Sequence, residues 1–249
     1  STPRHCMKVE HITPYGAGEG KREQITRAFD AIAPGYDRLN RLLSLGLDRF
    51  WRWRALRLLR AAPSARVLDV ATGTADFAIA VARRLPQTRV TGIDLSEAML
   101  DLGREKVRRA GLGARVSLHR GDTLALDFPD ASFDTVTAAF GVRNFASLAD
   151  GLREMRRVLK PGGQVLLLEL SRPERFPLRL LHDVYLRVAV PVMGRCLGGH
   201  AREYAYLPAS IRQVPQGGAM LDLLREAGFR ETRCERYTGG ICSAYCGVR

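Results

Sequence analysis

Apolar side chains recur along this chain with two different periods, and the change of period divides it. Ile25, Phe29 and Ile32 fall three and four residues apart, the spacing of one helix face, and Pro34-Gly35 ends that pattern. A second helix is expected from Tyr36 to Arg60, with Leu39, Leu42, Leu43, Leu47, Phe50 and Trp51 on its apolar side. From Arg66 onward, short apolar runs of strand length alternate with helical stretches. Strands are expected at 67–70, 89–94, 115–119, 133–138 and 164–170. Helices are expected between them at 77–85, 96–109 and 148–159. Ser96 reads as an N-cap, and Lys160-Pro161-Gly162-Gly163 as a helix stop.

The rhythm breaks over 172–215, a stretch rich in Arg, Pro, Gly and Tyr with one helical pattern near 178–190. It then resumes with a helix at 218–227 and strands at 229–236 and 240–248. Alternation of this kind implies a parallel sheet with helices on both faces. The expected fold is α/β: a doubly wound, Rossmann-like, mostly parallel seven-stranded sheet, with N-terminal helices and a helical insertion before the last strands. The expected organisation is a flexible lead over 1–20 and one domain over 21–249. Within that domain, 21–62 are the N-terminal helices and 172–215 an insertion or lid.

Composition narrows the class. Of 249 residues, 46% are hydrophobic, enough for a substantial core. No apolar stretch approaches the roughly 20 residues of a spanning helix, and from the polar, Gly- and Pro-containing first twenty residues no secretory leader is expected. Lys and Arg number 39 against 26 Asp and Glu, a net charge of +13 spread along the chain. Such a charge favours polyanions, nucleic acid or an anionic membrane surface. The five cysteines are odd in number and scattered, and Cys242-x-x-x-Cys246 lacks a second pair, so reduced thiols are expected and no metal site.

Three loops carry candidate chemistry. Asp69-Val70-Ala71-Thr72-Gly73-Thr74-Ala75-Asp76 leaves the first strand and enters a helix, where a doubly wound sheet binds ligands. Its small residues let backbone N–H groups approach a ligand, but it lacks the dinucleotide pattern G-x-G-x-x-G. A tight turn without a ligand is the alternative. Asp94 ends the second strand, placed to accept both ribose hydroxyls or to cap the next helix, and Leu95 follows it. Asp122 and Thr123 follow the third strand, where Asp122 can accept from an adenine amine or make an ordinary Asx turn. Ala139, after the fourth strand, completes the set. Together these loops describe a nucleoside site with no phosphate-binding group, the requirement of S-adenosylmethionine rather than of NAD, FAD or ATP.

Longer motifs resemble a known group. Phe29-Asp30-Ala31-Ile32-Ala33-Pro34-Gly35-Tyr36-Asp37-Arg38-Leu39-Asn40, the Asp69 loop, Phe140-Gly141-Val142-Arg143-Asn144-Phe145, Arg157 to Gly163 and Tyr206-Leu207-Pro208-Ala209-Ser210-Ile211 are similar to class I methyltransferases. More narrowly, they resemble the ubiquinone/menaquinone biosynthesis C-methyltransferases. The resemblance implies a polyprenyl quinol substrate whose ring carbon attacks once a hydroxyl is deprotonated, with Arg143, Asn144 and Tyr36 as catalytic residues. Arg143 follows the fourth strand and would stabilise the phenolate, or else only form a salt bridge to Asp134 or Asp150. His182 and His200 are alternative bases, and Leu180, Leu181, Val184, Tyr185, Val188 and Val190 could line a channel for the tail. Thr13-Pro14-Tyr15-Gly16 resembles menaquinone-pathway members, which implies demethylmenaquinol ahead of a benzoquinol or another lipid or small molecule. Ala75 stands where the family usually has Gly and is expected to crowd the methionine end of the cofactor. Phe140-Gly141-Val142-Arg143 stands where an RNA methyltransferase carries an Asn-Pro-Pro-Tyr-like run, so no nucleic-acid partner is expected. The protein is expected in the cytoplasm, peripheral to the inner face of the membrane, and able to form a homodimer.

Overall fold

The computed structural model describes residues 9–16, 18–60, 65–192 and 201–249. Among the described residues from 18 to 60, three α-helices lead into the sheet: α1 (Lys21–Ile32), α2 (Tyr36–Leu43) and α3 (Leu47–Leu56). The single helix expected over 36–60 is therefore two. Leu45 and Gly46 both take positive φ, and the Gly46 N–H closes back on the Arg41 carbonyl at 2.8 Å. A glycine takes that left-handed turn without steric cost, so the chain reverses while the apolar pattern runs on.

The sheet comprises β1 (Arg66–Val70), β2 (Arg89–Asp94), β3 (Val116–Arg120), β4 (Phe133–Ala139), β5 (Leu159–Leu170), β6 (Arg230–Tyr237) and β7 (Cys242–Val248). Its spatial order is β3-β2-β1-β4-β5-β7-β6. β1 to β5 are parallel, whereas β7 runs antiparallel to both β5 and β6, so the sheet is mixed. Strand order reverses between β1 and β4, which opens a crevice at their carboxyl ends.

Period two sorts the core. Val67, Leu166 and Leu168 point to one face, where α3, α4 (Asp76–Arg84) and α5 (Glu97–Arg109) cover them. Leu68, Val70, Val165 and Leu167 point to the other, under α6 (Leu148–Val158) and α9 (Gly218–Glu226). Cys242 and Cys246 are free thiols buried in β7.

Two further expectations need correction. The lead is not wholly loose, because Val9 is buried in the core and Glu10 accepts a hydrogen bond from the Leu148 N–H at 2.9 Å. The buried Lys21 ammonium ties the same segment down, donating to the Val9 carbonyl at 2.6 Å. Among its described residues, the insertion holds a second helical segment besides the one expected. α7 (Leu178–Val184) continues through a π turn at Tyr185–Ala189, and α8 (Ala201–Gln213) follows with Pro208 inside it. An internal proline breaks the helical signal in sequence, but here the helix tolerates it.

Candidate active site

The loops after β1, β2, β3 and β4 converge on a cavity of about 970 Å³. All nine cofactor candidates line it: Asp69, Thr72, Gly73, Thr74, Asp94, Leu95, Asp122, Thr123 and Ala139. Asp69 is almost wholly buried and accepts from the Thr72 and Thr137 hydroxyls, each at 2.6 Å. Burial pushes its carboxyl up to about 6, against the pull of those two hydroxyls. Asp94 receives one backbone N–H on each oxygen, from Gly73 at 2.8 Å and Ser96 at 3.0 Å. Those bonds fix the carboxylate and leave further lone pairs toward the cavity. The capping role falls to Ser96, whose hydroxyl accepts from the Met99 N–H. Asp122 makes the Asx turn, onto the Leu124 N–H, and its side chain also lines the cavity. It also pairs with Arg22 at 3.2 Å, a contact that competes for its outer oxygen.

Two loop residues serve the scaffold. The buried Thr74 hydroxyl donates to Asp37 at 2.6 Å and accepts from Lys106 at 3.0 Å, so its side chain clamps α2 to the loop. Ala75 has φ 64° and is wholly buried. Its methyl packs toward α5, 3.3 Å from where a Cβ would stand on Gly103, and does not line the cavity.

The N-terminal helices roof the cavity with Arg22, Ile25, Thr26, Phe29, Tyr36 and Arg52. Arg52 was not singled out in the sequence. It pairs with Asp48 and stacks over Phe140 at 5.2 Å, and no signal in a run of arginines on one helix distinguishes it. Phe140 itself has φ 60°, a left-handed conformation that costs a non-glycine residue about 1–3 kcal/mol. Gly141 follows it 2.6 Å (as an added Cβ) from the Ala71 methyl, so any side chain there would collide with the β1 loop.

A second, mostly apolar chamber of about 1130 Å³ adjoins the first. Tyr36, Arg52 and Phe140 line both, which makes them the wall between the chambers. Arg143 lines only the second and Asn144 only the first. The expected salt bridge of Arg143 exists with a different partner. Its Nη1 meets Glu169 at 2.7 Å, with both side chains buried, and also donates to the Phe140 carbonyl. Asp134 is taken by Lys160 and Asp150 by Arg153. Glu169, on β5, was missed because a lone Glu inside an apolar strand carries no motif. Asn144 accepts from the Tyr206 hydroxyl at 3.1 Å, which joins the β4 loop to α8. Burial raises the pKa of both Tyr36 and Tyr206, so both phenols keep their protons near neutrality.

Of the expected channel residues, Leu181, Tyr185 and Val190 line the second chamber. Leu180, Val184 and Val188 do not, because they face outward from the helix. Buried His182 lines it as well, with its pKa lowered by burial, whereas His200 lies outside the described residues.

Fold and crevice define a class of architecture: the Rossmann-like fold of class I methyltransferases. A solved S-adenosylmethionine-dependent methyltransferase from Aquifex aeolicus superposes with TM-score 0.62 at 20% identity, over 85% of this chain and 97% of that one. The [4+2]-cyclase SpnF does so with TM-score 0.63 at 18% identity, over 92% and 96%, so the likeness carries architecture and not reaction. A model of the ubiE/COQ5 methyltransferase family matches residues 18–249, and the chain belongs to that family. The demethylmenaquinone methyltransferase of Bacteroides fragilis is 43% identical, covering 96% of this chain and 98% of that one. That of Deinococcus radiodurans is also 43% identical, covering 97% and 99%. The ubiquinone/menaquinone biosynthesis C-methyltransferase of Geobacter sulfurreducens is 42% identical, covering 97% and 94%.

Proposed function

We propose that this enzyme methylates a ring carbon of a polyprenyl quinol, demethylmenaquinol in particular, at the cytoplasmic face of a membrane. The observation that carries the reading is the pair of chambers: a polar nucleoside cavity and an apolar one meeting at Tyr36, Arg52 and Phe140. When bound, S-adenosylmethionine supplies a methyl group already activated on a sulfonium. Asp94 would take the ribose hydroxyls, and Asp122 and Thr123 would flank the adenine. Asp69 would face the positive charge of the methionine end. No phosphate is involved, and the loops present three carboxylates where a phosphate site would present donors.

The quinol ring would lie in the apolar chamber with its tail toward Leu181, Tyr185 and Val190. A phenol of pKa about 10 holds its proton at neutral pH, so the nucleophile needs help. Two arginines line that chamber, Arg52 and Arg143, and each has a buried Nε–H; Arg52 also borders the cofactor cavity and pairs with Asp48, so the phenolate is assigned to Arg143. Glu169 fixes its orientation, and its Nε–H is buried without an acceptor. A buried donor left unpaired costs about 1–3 kcal/mol, a cost that a phenolate oxygen beside it would remove. The charge therefore acts where negative charge develops during the reaction. Asn144, held by the Tyr206 hydroxyl on the cofactor side, would meet a ring hydroxyl that projects through the passage, and Tyr36 would close that passage between the chambers.

Quinones extracted from a host lacking its own C-methyltransferase, with and without this gene, test the reading by mass spectrometry. Restored menaquinone is the expected result. Accumulated demethylmenaquinone in a host that makes the folded protein would overturn it.

A further inference from the structure

The helix that runs from Leu178 through the π turn to Val192 is apolar on two sides. His182, Leu186 and Val190 are buried against the body of the protein. On the other side Leu180, Leu181, Val184, Val188 and Val192 are between 50% and 63% exposed, and Phe176, just before the helix, is 80% exposed. Solvent-facing positions of a surface helix are normally polar, and a contiguous apolar stripe marks an interaction site. The stripe steps by four residues from Leu180 to Val192. In a plain α-helix such a series drifts by about 40° per step. The wider π turn at Tyr185–Ala189 offsets that drift and keeps Val184, Val188 and Val192 closer to one line.

Three features identify the occupant. The first is charge. Arg175, Arg179 and Arg187 are exposed along this segment, while its two carboxylates, Glu174 and Asp183, are already paired with Arg236 and Arg172. The second is the chamber mouth. Leu181 and Leu45, both more than 60% exposed, also line the second chamber, so that chamber opens beside the stripe. The third is the absence of a spanning segment: no helix among the described residues is long and apolar enough to cross a membrane. An apolar stripe flanked by arginines, on an element that does not span, has the chemistry of a helix lying in a bilayer interface. A second copy of this chain seated there would cover the mouth between Leu45 and Leu181.

We infer that the outward face of this helix, with Leu45 beside it, docks into the surface of an anionic bilayer and presents the second chamber to lipid. The inference rests on the quinol reading above for what enters the chamber, but the docking face can be tested by itself. Leu180, Val184 and Val188 serve the test because none lines either chamber.

The experiment compares the full chain with the Leu180→Ser/Val184→Ser/Val188→Ser variant by co-sedimentation with vesicles of phosphatidylglycerol and phosphatidylcholine, and of phosphatidylcholine alone. The wild type should prefer the anionic vesicles. The serine variant should partition about ten-fold more weakly, with unchanged melting temperature and S-adenosylmethionine affinity. It should methylate a short-tailed quinol in solution at the wild-type rate and a long-tailed quinol in vesicles about ten-fold more slowly. Arg175→Gln/Arg179→Gln/Arg187→Gln should erase the preference for anionic lipid. Equal partition of wild type and serine variant overturns the inference, as does a wild type that ignores vesicles. A wild-type dimer that the serine variant splits, with vesicle binding unchanged, overturns it in favour of a face between copies. Vesicle binding lost in the serine variant, together with no quinol methylation by any form, sinks the quinol reading and leaves the docking face standing.

Discussion

Arg143 concentrates the argument at the scale of single residues. It is a charge that the reaction can use and also half of a buried ion pair with Glu169. Removing one member of such a pair strands the other in a low dielectric, at a cost of about 3–5 kcal/mol. Arg143→Ala should therefore lose stability by that amount in a denaturant titration, as well as turnover by about 10²–10³-fold. Arg143→Met/Glu169→Leu should regain most of the stability and none of the turnover. Stability and turnover that recover together in the double variant would reduce Arg143 to a structural residue. Asp69 gives a second residue-scale test. Its folded-state pKa of about 6 lies above the ordinary 3.8, so the folded chain holds this proton more tightly than the unfolded one. Stability should accordingly fall as pH rises from about 4 to about 6 through this group. A cationic cofactor favours the carboxylate, so affinity for S-adenosylmethionine should rise over the same window. Calorimetry at several pH values checks this. Asp69→Asn should flatten most of the rise, leaving a residue from Asp94, which burial raises in the same direction. An unaltered pH profile in a folded Asp69→Asn protein would remove Asp69 from the site.

At the scale of elements, the site depends on how the N-terminal helices are pinned over the β1 loop. Lys106 on α5 does much of this, reaching Asp37 of α2 at 2.8 Å, the Thr74 hydroxyl of the loop and Asp76 at the start of α4. These groups are a quarter to a third exposed, so the ion pairs are screened and each contributes modestly to stability. Their value is positional: they hold α2, and with it Tyr36, at the wall between the chambers. Lys106→Met should leave the melting temperature within a few degrees. It should weaken S-adenosylmethionine about three- to ten-fold and speed amide exchange across 36–43, as expected where a weakly held element opens locally. Unchanged exchange over that helix would show that packing around Leu39 and Met99 suffices.

For the whole molecule, the two chambers lie at the carboxyl edge of one sheet, so a ligand there contacts loops from four strands at once and stabilises the domain as a unit. S-adenosylmethionine at a hundred times its Kd should add about 2.7 kcal/mol. In a domain of this size that is a rise in melting temperature of about 5–10 °C. NAD should add nothing. Differential scanning fluorimetry reads both, and a rise with NAD alone would contradict the nucleoside reading of the loops.

The sequence by itself determined the sheet, its helices and the loops that line the first cavity, because those depend on local period and on short runs such as Asp69 to Asp76, Asp94 and Asp122. Hydrophobic spacing is set by neighbours within a turn or a strand, so it survives reading in one dimension. It fell short where two distant segments decide the outcome. The break at Leu45-Gly46 sits inside an unbroken apolar pattern. The helix at 201–213 is masked by Pro208 and held by contacts such as Tyr206 to Asn144. Val9 looks like part of a loose lead until its pocket near Leu148 is known. Arg143 could be singled out from its loop, but its partner Glu169 is 26 positions away on another strand, and only the pairing of β4 with β5 brings them together. The same holds for the wall of Tyr36, Arg52 and Phe140 and for the outward stripe of the 178–192 helix. In a periodic pattern two apolar faces look alike, and only tertiary packing decides which one is covered.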